Sequence, residues 1–141
     1  MASTSYAAHG IDLKNGLSLK AAGLIAADTN GSGVTVGRGL FLIRVKTTAV
    51  EIASNDEIYN LAIEANTAAA TSTWKSLGPN VVLSCLEANG GQGDSDDALD
   101  IVFAVFNPYD YQIRYSLYVA GSIATGANFT VDAYPVQQAA F

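Results

Sequence analysis

Apolar and polar residues alternate with a period of two over several stretches of this chain, the signature of strands half-buried in a sheet. From Leu40 to Thr48, Phe41, Ile43 and Val45 fall on one face, and Arg44 and Lys46 on the other. From Ile58 to Asn66, Tyr59, Leu61, Ile63 and Ala65 alternate with Asn60, Ala62, Glu64 and Asn66. Tyr111 to Ala120 sets Ile113, Tyr115, Leu117 and Val119 against Arg114, Ser116 and Tyr118. Phe129 to Tyr134 sets Phe129, Val131 and Ala133 against Thr130 and Asp132. Two runs differ. Val81 to Leu86 is short and apolar, and Leu99 to Phe106 is apolar on both faces, which predicts a central strand covered on both sides.

Turn-forming residues separate these runs. They gather at Asp28–Gly33, Gly37-Arg38-Gly39, Ser54–Glu57, Gly78-Pro79-Asn80, Asn107–Asp110 and Gly121–Asn128. Asn89–Asp97 is the most emphatic loop, and the Ala/Thr/Ser stretch from Thr67 to Thr73 is another, ending on Trp74. Between Ile11 and Ala27 apolar residues recur loosely, but Gly16 and Gly23 each cost about 1 kcal/mol inside a helix. An extended, irregular lead-in is the better reading. Pro135 stops the last strand.

The pattern predicts six to eight short strands and an all-β, single-domain β-sandwich, jelly-roll-like, with extended arms at both termini. Residues 1–10 are read as an N-terminal arm, 11–134 as the core and 135–141 as a C-terminal tail. No internal repeat or domain linker interrupts the 141 residues, a length that one core can serve without disulfides or a structural metal.

Half the residues are hydrophobic but only 14% are charged, against about 25% in ordinary soluble domains. Much of the surface is therefore Ala, Ser, Thr, Asn and Gly, which lose little on being covered by a neighbour. The formal charge of −6 and the scattering of Lys14, Lys20, Arg38, Arg44, Lys46, Lys75 and Arg114 argue against direct nucleic-acid binding, which needs clustered cations. Cys85 is the sole cysteine, so no internal disulfide forms. No apolar stretch reaches the roughly 18 residues of a membrane span, and the first residues lack the pattern of a signal peptide. The expectation is a chain without membrane association.

Candidate chemistry is sparse. His9, the single histidine, lies in the arm, where nothing anchors an imidazole as a catalytic pair requires. Cys85 sits between Ser84 and Leu86 in an apolar run, without the positive surroundings that make a thiolate. Asp94, Asp96 and Asp97 alternate in a Gly-rich loop and are weak candidates for oxygen ligands to a cation, although the glycines precede the acids and no Glu closes the loop. Neither Gly31-Ser32-Gly33 nor Gly90-Gly91-Gln92-Gly93 is a phosphate loop. Glu51, Glu57, Glu64 and Glu87 would serve glycoside hydrolysis only if two of them met in space. The expectation is no catalytic residue, no cofactor and no enzyme. Tyr6, Tyr109, Tyr111, Tyr118 and Phe141 are candidates for protein contact, with Tyr115 in the core. Core capping and, with Trp74, a glycan surface stay open for these aromatics.

The stretch Gly39-Leu40-Phe41-Leu42-Ile43-Arg44-Val45-Lys46-Thr47-Thr48, followed by Ile58-Tyr59-Asn60-Leu61-Ala62-Ile63-Glu64-Ala65, resembles the first strands of the small capsid cement, or decoration, proteins of tailed bacteriophages of the Bordetella-phage type. Asp12-Leu13-Lys14-Asn15-Gly16-Leu17-Ser18-Leu19 looks like their short N-terminal stretch. Ile113-Arg114-Tyr115-Ser116-Leu117-Tyr118-Val119-Ala120-Gly121-Ser122, with Phe129-Thr130-Val131-Asp132-Ala133, is similar to their closing hairpin. The likeness covers most of the chain in order and length; the acidic loop around Asp94 departs from it. The resemblance implies a jelly-roll-like virion subunit, a homo-oligomer (dimer or trimer). It would clamp neighbouring major capsid proteins at the outer capsid surface after shell expansion, in a particle assembled in the host cytoplasm. The alternatives are another virion component, of the tail or head completion, and a glycan-binding β-sandwich module.

Overall fold

Each of the four alternating runs is a strand, and its apolar face is its inner face. The structure, a computed structural model, describes residues 16–54, 56–83, 93–95 and 99–136. Among them are twelve strands: β1 (Leu17–Lys20), β2 (Leu24–Ile25), β3 (Thr29–Asn30), β4 (Val34–Thr35), β5 (Gly39–Ile52), β6 (Ile58–Asn66), β7 (Trp74–Ser76), β8 (Val81–Val82), β9 (Gly93–Ser95), β10 (Asp100–Asn107), β11 (Gln112–Ala120) and β12 (Ala127–Pro135). They form two antiparallel sheets, a β-sandwich. The first runs β1-β12-β5-β10, with β2 beside β12 and β9 beside β5; the second runs β3-β11-β6-β7, with β4 beside β11 and β8 beside β6.

The sheets meet through side chains spaced two apart. Phe41, Ile43 and Val45 of β5 and Phe129, Val131 and Ala133 of β12 face Tyr59, Leu61, Ile63 and Ala65 of β6 and Ile113, Tyr115 and Leu117 of β11, all buried. Tyr115 crosses the interior to meet Phe129 edge-on, ring centres 6.0 Å apart and planes at 88°, the arrangement aromatic quadrupoles favour. Lys20, also buried, lays its ammonium 4.3 Å from the centre of the Phe129 ring. It donates to the carbonyls of Ala21, Gly23 and Phe129, so its charge is met by oxygen and ring, and burial lowers its pKa.

Several expectations need correction. Among the described residues β10 pairs with β5 alone and stands at the edge of its sheet, so Leu99 to Phe106 is not the central strand expected. A run apolar on both faces fits a strand whose outer side chains remain uncovered within the subunit as well as one buried twice. The strand predicted to end at Thr48 continues to Ile52, because the ladder with β12 skips a residue between Asn128 and Phe129. That bulge shifts the inward parity from Thr47 to Val50 and Ile52. Within the predicted loops, Thr29–Asn30 pairs with β11 and Gly93–Ser95 with β5. Pro135 is the last residue of β12, opposite Phe41. The expected closing hairpin is absent: β11 and β12 lie in different sheets, and the loop between them crosses the sandwich.

These crossings are tied in pairs. At one end, Glu51 near the end of β5 and Asp56 in the β5–β6 connection give two carboxylates to the β11–β12 connection. Glu51 accepts from the backbone N–H of Ala124, Thr125 and Gly126 at 2.9, 2.6 and 2.9 Å; Asp56 accepts from the N–H and hydroxyl of Ser122. Glu57 turns back to take the N–H groups of Ser54 and Asp56. At the other end of β5, the buried Asn107 donates to the Gly37 carbonyl and accepts from the Tyr109 N–H, while the Val36 N–H reaches the Tyr111 carbonyl.

Candidate functional site

The same alternation that builds the core leaves an unusual outer face on the first sheet. On β5, Leu40 and Leu42 share the outward parity of Arg44 and Lys46. The ladder sets Leu40 beside Phe106, Leu42 beside Ala104 and Arg44 beside Val102, and on the other flank Leu42 beside Tyr134 and Arg44 beside Asp132. Val102 and Phe106 keep 58% and 54% of their surface exposed, and Leu40 41%. The result is a contiguous apolar stripe along the edge of the sheet. Scattered apolar residues on a surface need no explanation, but a contiguous patch marks an interaction surface.

Beside the stripe lies a groove of about 520 Å³ lined by Leu42, Arg44, Asp100, Val102 and Tyr134. Arg44 and Asp100 close its polar end as a two-point pair, Nε to Oδ1 at 2.9 Å and an Nη to Oδ2 at 2.7 Å. The hydrogen bond to Arg44 holds the Asp100 carboxyl below its ordinary range, and the same bond keeps the guanidinium protonated. Asp132, on the other side of Arg44, is pushed up by burial, with Arg44 opposing. The face is thus apolar at one end and charged, with both signs present, at the other.

The aromatic candidates are dispersed. Tyr109 packs half-buried against the core and Tyr111 is half-buried before β11, whereas Tyr118, 53% exposed, stands near the far end of that strand opposite Asn60. Seven residues of strand put Tyr111 and Tyr118 about 24 Å apart. Tyr115 is in the core, as expected. Tyr6, Phe141, His9, Cys85, Asp96 and Asp97 lie outside the described residues. Asp94 is placed by its backbone in β9, opposite Glu51. Among the described residues no group of three or more His, Cys, Asp or Glu could hold a metal. Glu51 and Glu57 bind backbone N–H groups, and Glu64 pairs with Arg114 at 2.9 Å. Trp74 has one face covered, by the Arg114 guanidinium 4.0 Å above its ring. Its rim meets Gly33, where an added Cβ would come within 3.0 Å of the indole.

Sequence reasoning passed over Leu40, Leu42, Val102, Ala104 and Phe106. The signal was present: two leucines in phase with Arg44 and Lys46 mark an outer face that is half apolar. Compared with known proteins, the chain matches no family and no curated protein sequence.

Proposed function

We propose that the protein is a non-enzymatic structural subunit of a virion, a capsid cement protein whose jelly-roll-like sandwich binds and stabilises a shell of major capsid proteins. The apolar stripe on the outer face of β5 and β10 carries this reading, because it offers a rigid sheet surface for burial against another subunit. The sparsely charged surface supports it, since Ala, Ser, Thr and Gly are cheaply desolvated. A specific contact of about 1,600 Å² is ordinary for protein association, and an oligomer engaging several shell subunits at once multiplies weak contacts into durable ones.

The test is sedimentation of the purified protein with expanded shells of the phage that encodes it. The expected result is saturable binding at hundreds of copies per particle, lost in Phe106→Lys with the fold preserved by circular dichroism. A few copies per particle would overturn it in favour of a tail or head-completion protein. Saturable sugar binding that disappears in Trp74→Ala, with no binding to shells, would overturn it in favour of a glycan-binding module.

A further inference from the structure

Among the described residues the outer backbone edge of β10 is unpaired, a feature distinct from its apolar face. In the β5–β10 ladder the Thr47 N–H donates to the Leu99 carbonyl at 2.8 Å, and the register runs from Lys46 opposite Asp100 to Gly39 opposite Asn107. Hydrogen-bonded pairs alternate along an antiparallel ladder. Ile101, Phe103, Val105 and Asn107 therefore turn their N–H and C=O groups toward β5. Asp100, Val102, Ala104 and Phe106 turn theirs to the open side, where no described strand pairs with them. Natural edges are blunted by Lys, Pro, bulges or inward charges. Ile101-Val102-Phe103-Ala104-Val105-Phe106 has none of these, and such a segment left open is an aggregation hazard.

We propose that β10 pairs antiparallel with β10 of a second copy of this chain, about a two-fold axis through Ala104, joining two six-stranded sheets into one. The strand is self-complementary about that residue. Val102 falls opposite Phe106 of the second copy and Phe103 opposite Val105, so each face pairs a ring with a β-branched side chain, and the smallest residue sits on the axis. The outward groups of Val102, Ala104 and Phe106 would form about six new hydrogen bonds. Moving the axis to Phe103 would set Asp100 against Phe106, drawing a carboxylate away from Arg44 onto an aromatic ring. In the pairing centred on Ala104 the two apolar stripes meet, giving one continuous face. The proposal rests on the reading of this edge as an interface and names its first occupant.

Sedimentation velocity of the full chain tests it. The expected species is a dimer of the 14.6 kDa chain. Ala104→Pro removes an N–H directed to the open side and fills the pairing position with its ring, while leaving the β5 ladder intact. It should weaken the dimer by about 30-fold or more with an unchanged circular dichroism spectrum. Ala104→Lys, which keeps the backbone and brings two ammonium groups together at the axis, should do the same. In a Cys85→Ser background, Ala104→Cys should oxidise to a covalent dimer, because paired Cα atoms stand about 5.5 Å apart; Thr48→Cys, exposed on the same sheet, should not. A chain that stays monomeric at about 100 µM, a dimer indifferent to both Ala104 substitutions, or association that continues past two copies would overturn the proposal. A monomer that still saturates shells would refute the pairing and leave the cement reading standing. A dimer confirmed by the cysteine pair but absent from particles would do the reverse.

Discussion

Glu51 shows how much of this fold hangs on one side chain. Its buried carboxylate takes three successive N–H groups of the crossing loop and the Thr125 hydroxyl, and its own carbonyl accepts from the Tyr59 hydroxyl at 3.0 Å. Those N–H donors, Gly126 first and then Thr125, hold its carboxyl below the ordinary 4.5. The Ser122 N–H and hydroxyl do the same for Asp56, ordinarily 3.8. A carboxylate whose folded pKa is depressed stabilises the fold fully above its unfolded value and loses that contribution as pH falls through the folded one. Asp132, raised by burial, has the opposite slope and offsets part of the loss. The melting temperature should therefore be level from neutral pH to about 5 and fall below that as these carboxylates protonate. Glu51→Gln should melt at least about 5 °C lower at pH 7, since an amide cannot accept from all three donors, and should show a shallower acid decline. Thermal melts by circular dichroism between pH 3 and 7 check both, and an unaltered melt at pH 7 would remove Glu51 from its structural role.

At the level of elements, strands with one wet face and one dry face were legible because side-chain direction is fixed by the pleat. β6 spans the predicted residues, and β11 differs at one end by a single position. What was hidden was phase and partner. The β5 pattern breaks at Thr48 because a bulge resets which residues point inward, and a reading by strict alternation stops there. β10 carries apolar residues on both sides, and composition cannot say whether the outer set meets another layer of the same chain or remains uncovered. The β11–β12 loop reads as a hairpin only through the resemblance to the cement proteins, and the alternation of its flanking strands does not say that they lie in different sheets. Its crossing depends on Glu51 and Asp56, distant in sequence, and on two glycines. Gly126 has φ of +91°, and a Cβ there would run into the Ile25 carbonyl; Gly121, at +95°, is likewise closed in by the Asp56 carbonyl. Gly126→Ala should cost about 2 kcal/mol or more. Gly78→Ala is the control: its φ lies outside the left-handed range, and nothing lies within 4 Å of an added Cβ. Urea unfolding of the two variants measures the difference, and equal midpoints would contradict it. The candidate surface was half legible in the same sense, since Leu40 and Leu42 are visible in the sequence while the arrangement of Val102, Ala104 and Phe106 beside them needs the ladder.

For the whole molecule, the two tied crossings at opposite ends of β5 make the sandwich a closed frame, so force applied to it travels along defined routes. Because β1 runs antiparallel to β12, with Leu17 opposite Ala133, residues 16 and 136 stand at the same end of the first sheet. Tension between those two points would peel β1 from β12 one rung at a time, like a zipper, rather than shearing many rungs together. The first firm stop is Lys20, whose ammonium grips the Phe129 carbonyl at 2.7 Å. A single molecule pulled in an optical trap from residues 16 and 136 should yield in two stages, a soft opening up to Lys20 and then a harder break, and Lys20→Met should merge them. A sandwich built this way would give slightly under a sudden load before its core was called on to resist.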